Sequence, residues 1–130
     1  MTELKKLYDD IPRGHVKDGR ILYRGFSIKK EESGEIIIQD IRTPMFGDVN
    51  KEDLSVLKQR GFLKGATYLL MLSDENKINI YKKLIARTQR SAKNSDNSRK
   101  RQEFLNRVDY YKNEVEYYSA KVRRWAQILN

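Results

Sequence analysis

Nine cations crowd the stretch from residue 77 to residue 101: Lys77, Lys82, Lys83, Arg87, Arg90, Lys93, Arg99, Lys100 and Arg101. Asp96 is the only carboxylate among them. Ammonium and guanidinium groups at this density neutralise phosphates and release their counterions, so the chemistry they offer is anion binding. The charge is local. Residues 1–50 hold nine Lys and Arg against nine Asp and Glu, whereas residues 51–130 hold 18 against nine and carry the whole net charge of +9. Arg99, Lys100 and Arg101 add a second argument, because three cations in the first turn of a helix oppose its dipole unless an anion lies nearby.

A second set of residues suits the same ligand. Tyr110 and Tyr117 stand seven residues apart, and Arg124 follows seven residues later. On a helix such spacing keeps them on one flank, where aromatic rings beside a cation can stack unpaired bases. Tyrosines are equally favoured where proteins meet proteins.

Bond-making chemistry finds little support. There is no cysteine, which excludes thiolate nucleophiles, disulfides and thiolate metal sites and suits a reducing compartment. His15 is the sole histidine and sits beside Gly14 in a turn, the setting of an exposed loop residue. Glu75-Asn76-Lys77 has the acid-and-lysine content of a metal-dependent nuclease, but there those residues lie on a strand and here they open a helix. Gly61 and Gly65 lack the Lys-Ser/Thr ending of a phosphate loop. The expectation is a protein that is not an enzyme and needs no metal or cofactor.

The last helix carries the clearest pattern. Phe104, Val108, Tyr111, Val115, Tyr118, Val122, Trp125 and Leu129 alternate at spacings of four and three, with Val-Asp-Tyr-Tyr, Val-Glu-Tyr-Tyr and Val-Arg-Arg-Trp as successive sevenfold repeats. Valine takes the a positions and an aromatic the d positions, with Leu129 ending the a series. Rings at d are too bulky for a tight parallel zipper and call for a wider groove or a mixed bundle. The seam therefore packs on the chain's own helices or joins another protein or a second copy. A basic segment leading into a heptad helix resembles the layout of the bZIP transcription factors. The resemblance is architectural: in Lys93-Asn94-Ser95-Asp96-Asn97-Ser98-Arg99-Lys100-Arg101, Asp96 and Asn97 run against that family's basic region, and the d positions lack leucine. No base-reading role is carried over.

These residues need elements to position them. Thr2 to Tyr8 reads as a short amphipathic helix ending before Ile11-Pro12. Lys17-Asp18-Gly19-Arg20 is a tight-turn signal, Ile21 to Ile28 a strand with Gly25 a candidate bulge, Glu32-Ser33-Gly34 a second turn, and Glu35 to Ile41 another strand. A two- or three-stranded meander follows, closed by Thr43-Pro44 and Gly47-Asp48; any open sheet edge offers a place for partner addition. Tyr23, Arg24 and Phe26 mix aromatic and basic character on one strand, and one of its faces builds the core. Asn50 caps a helix with Asp53 at the capping-box position, Leu54 and Leu57 inward and Gly61 as the stop. Phe62 to Leu72 reads as a second short helix, packed closely on the first through Gly65-Ala66. Ser73-Asp74-Glu75 starts a basic helix with Ile78, Tyr81, Leu84 or Ile85, and Thr88 inward. Asn94 to Ser98 is a polar hinge whose Asp96 or Ser98 can cap the last helix, Ser98 to Leu129.

The fold expected is α+β, with a small N-terminal antiparallel meander and a long heptad-patterned C-terminal helix. Residues 1–72 hold the meander and short helices, and residues 73–130 the basic helix, polar hinge and long helix, packed as one domain. The longest apolar run, Tyr68 to Leu72, is far short of a membrane span, and the N-terminus lacks a signal-peptide core, so a cytoplasmic protein without membrane partners is expected. Two functions remain open. One is an accessory protein that grips DNA or RNA phosphates with the basic arm and packs or oligomerises through the seam. The other is a structural or adaptor subunit of a larger assembly such as a viral particle.

Overall fold

Leu4, Leu7 and Tyr8 fall on one side of α1 (Thr2–Asp9), which stops ahead of Ile11-Pro12 because the residue before a proline is pushed out of the helical region. A 3₁₀ turn (Arg13–His15) then leads into β1 (Arg20–Tyr23), β2 (Phe26–Lys30), β3 (Ile36–Asp40) and β4 (Gly47–Asp48). Three helices follow: α2 (Lys51–Arg60), α3 (Phe62–Lys93) and α4 (Ser98–Leu129). This is a computed structural model, and it describes residues 2–42 and 47–130; the expected turn at Thr43-Pro44 lies outside them. The chain is α+β, and it divides into two compact units, one spanning Met1–Leu70 and the other Met71–Ile128.

In the first unit the strands pair in chain order as a four-stranded antiparallel meander. Ile21, Ile28 and Ile38 stand opposite one another and are all buried, whereas Leu22 points to the other face and is 61% exposed. That is the period-two alternation of a sheet with one covered face. The stretch expected as one strand with a bulge at Gly25 is instead a hairpin. Tyr23 pairs with Phe26, and the two residues between them both have positive φ, 52° at Arg24 and 89° at Gly25, as a two-residue turn with the twist of the strands requires. Lys17 to Arg20 makes the expected tight turn, with Lys17 and Arg20 exchanging two backbone hydrogen bonds of 3.0 Å.

The sheet's inner face meets Leu7, Tyr8 and Ile11 from the α1 region, and Leu57, Phe62, Ala66 and Leu69 from α2 and the start of α3. Gly65 permits this closeness: a Cβ there would stand 2.9 Å from the Leu57 Cα and 3.2 Å from the Val56 carbonyl oxygen. Asn50 caps α2 as expected, its Oδ1 accepting from the Asp53 N–H at 2.8 Å. The Asp53 carboxylate does not close a capping box. It accepts from Arg42 Nη2 at 2.6 Å, and the same guanidinium holds Asp40 at 2.7 Å while lying 4.6 Å over the Phe26 ring. One arginine thereby ties the end of β3 to the start of α2. Its hydrogen bonds hold the Asp40 carboxyl below the usual carboxylate range, more than offsetting the partial burial that acts the other way.

The helix expected to begin at Ser73 is not separate: α3 runs unbroken for 32 residues. No glycine or proline follows Gly65 within it, and Asp74 is turned to a tertiary partner instead of to a helix start. The polar hinge is present at residues 94–97, but Asn97 caps α4 in place of Asp96 or Ser98, its Oδ1 accepting from the N–H groups of Arg99 at 2.9 Å and Lys100 at 3.2 Å. Among the described residues no helix is long and apolar enough to cross a membrane.

Two stability measurements check this account. Gly65→Ala should lower the unfolding free energy by about 1–3 kcal/mol despite its better helix propensity, because backbone must move to admit the methyl, whereas Gly14→Ala, with open space around it, should be near neutral in the same denaturant titration. Asp40→Asn should cost up to about 1 kcal/mol at pH 7, the pair being partly open to solvent. Because folding lowers the Asp40 pKa, that contribution is present above about pH 4 and is lost as pH falls through the lower folded value, so wild type and variant should converge in acid.

Candidate nucleic-acid interface

Residues 71–128 form a helical hairpin whose geometry decides which side chains reach solvent. Contacts nest: Asp74 meets Trp125, Tyr81 meets Tyr118 and Tyr111, and Ser95 meets Arg101, so α3 and α4 run antiparallel. Tyr81 stacks on Tyr118 with centroids 6.1 Å apart and planes at 16°, and lies 5.8 Å from Tyr111. Two successive d-position rings thus take a third ring from the chain's own α3. Ala92, Val108 and Trp125 are buried, while Phe104, Tyr111, Val115, Tyr118, Val122 and Leu129 are half-buried.

A buried polar contact of this unit was invisible in the sequence. Asp74 is 1% exposed, and its Oδ2 accepts the Trp125 indole N–H at 2.8 Å across 51 residues of chain. A buried carboxylate needs such a donor, and the donor here is the sole tryptophan.

With Asp74, Ile78, Tyr81, Ile85 and Ala92 turned toward α4, helical rotation carries Lys83, Arg87 and Arg90 to the far side and Lys82 and Lys93 to one flank. They span about 140° of arc at 3.6 residues per turn and about 16 Å of length. All five are exposed, and none has a carboxylate within ion-pairing distance among the described residues. Lys77 is not part of this stripe. It lies on the inner side, with Nζ 5.0 Å from the Tyr118 ring centre.

The three cations that open α4 divide as well. Arg101 donates to the Ser95 carbonyl oxygen at 2.6 Å and so closes the hinge, and Arg99 lies 3.8 Å from Glu103 one turn on. Lys100 is exposed, with no such partner among the described residues. Asn97 satisfies two first-turn N–H groups, while no acidic side chain stands in the first turn of α4 to offset its three cations.

Tyr110 and Tyr117 are 56% and 54% exposed, and with Arg124 they follow one line of α4. Lys121, which the sequence reading passed over, holds its ammonium 4.9 Å from the Tyr117 ring and 5.7 Å from that of Tyr118. Because the cation stripe is centred on the side of α3 away from α4, the tyrosine line and the stripe are separate surfaces. No family model, curated protein or solved structure matches the chain at a significant level.

Trp125→Phe should keep the ring's packing but strip Asp74 of its donor, lowering stability by about 1–3 kcal/mol in a thermal or denaturant melt. Adding Asp74→Leu should recover part of that loss, since the orphaned carboxylate is then gone.

Proposed function

We propose that this chain is a non-enzymatic accessory protein that binds nucleic acid through phosphate contacts along α3, and that it works in the cytoplasm or within a viral particle. The observation supporting this reading is the outward stripe of Lys82, Lys83, Arg87, Arg90 and Lys93. Five exposed cations share one helix face, with no carboxylate in ion-pairing distance among the described residues. Mutual repulsion makes such a face unfavourable in isolation, and a phosphate backbone relieves it. Lys100 extends the basic surface near the hinge, whereas Lys77, Arg99 and Arg101 have intramolecular engagements that lessen their part in it.

A second reading, an adaptor or structural subunit, is favoured by one observation of its own. Tyr110, Tyr117 and Ile128 leave large apolar surface open along a single line of α4. Such a line suits a protein neighbour.

The two readings separate on one column. The protein should be retained on immobilised nucleic acid at low salt, and affinity should fall with a log–log salt slope of about −4 to −5 if the five stripe cations each meet a phosphate. Replacing all five by alanine should abolish retention while leaving the circular dichroism spectrum unchanged. Retention that survives those replacements would refute the stripe as the contact surface.

A further inference from the structure

The nucleic acid that fits this stripe has a specific form. We infer that α3 takes double-stranded DNA, gripping the two phosphate walls of a groove, and not an unpaired strand; this rests on the phosphate-binding reading above. The first ground is the width of the charged arc. Lys82 and Lys93 lie toward one edge of the outward face, Arg87 toward the other, and Lys83 and Arg90 between them. A helix with its side chains is about 10–12 Å across and the B-form major groove about 12 Å wide, so cations on both edges meet phosphates on both walls at once. Ala86, exposed in the middle of the arc, leaves nothing bulky to hold the helix away. The major groove of A-form RNA is too narrow for such an approach.

The second ground is what the face lacks. Binding of unpaired strands depends on aromatic rings set among the cations, so that bases stack while the backbone is neutralised. Tyr81 is the only aromatic of α3 beyond residue 70, and it is turned inward and stacked on Tyr118. The exposed rings, Tyr110 and Tyr117, belong to the other helix and to a surface the stripe does not share. The fold has set the five stripe cations apart from these exposed rings, whose own neighbours are Lys121 and Arg124 of α4. What remains on α3 reads charge and groove shape without base edges, so sequence preference should be weak.

Fluorescence anisotropy with labelled probes of equal length tests this: a DNA duplex of mixed sequence, its single strand, and an RNA duplex. The DNA duplex should bind about tenfold tighter than either other probe at low salt. The five-alanine stripe variant should lose that binding, and Tyr110→Ala with Tyr117→Ala should change it by less than about twofold. Lys82→Arg, Lys83→Arg and Lys93→Arg together keep the charge and should keep the binding. Tighter binding of the single strand, weakened by the tyrosine replacements, overturns the inference while the phosphate reading stands; equal or tighter binding of the RNA duplex overturns the groove assignment in the same way. Failure of all three probes to bind overturns the phosphate reading itself.

Discussion

Everything attributed to the second unit depends on how the inner side of α3 is anchored. Rotation about a helix axis is a single degree of freedom, and the Asp74 carboxylate on the Trp125 indole together with Tyr81 against Tyr111 and Tyr118 removes it at two levels. Once those inner residues are set, 3.6 residues per turn leaves no choice about where Lys82, Lys83, Arg87, Arg90 and Lys93 point. The basic surface is thus specified by residues that carry no positive charge. The aromatic d positions serve the same end, since rings from both helices meet between them, and the Lys77 and Lys121 ammonium groups rest on the Tyr118 ring.

In the first unit the corresponding device is electrostatic. Arg42 joins Asp40 at the end of β3 to Asp53 in the first turn of α2 while covering the Phe26 ring. The contact sets sheet against helix where Asn50 has already fixed the helix start. Below it, the packing is of the close kind that only a residue without a side chain permits, with Gly65 against Leu57.

Much of this architecture was legible because it is encoded locally. The cap at Asn50, the stop at Gly61, the polar hinge near residue 95 and the sevenfold repeat of α4 each use residues a few positions apart. What could not be read belongs to partners distant in the chain. Ser73-Asp74-Glu75 has the composition of a helix start, and only Trp125, 51 residues away, accounts for an acidic residue inside a continuous helix. Arg24 in a positive-φ turn was likewise hidden, since asparagine or aspartate is the customary signal there. In the candidate site, the run of nine cations looked uniform as text. Helix phase and hinge contacts sort it into five that face outward, one laid on a tyrosine, two engaged near the hinge, and Lys100.

The indole of Trp125 has a spectroscopic consequence. It is the only tryptophan in the chain, it is buried, and its N–H is bonded to a carboxylate within the helical hairpin. Its emission is therefore a native optical label placed within that hairpin. Followed beside a backbone signal that sums over the whole molecule, it tells whether the two units melt in one cooperative step or in succession.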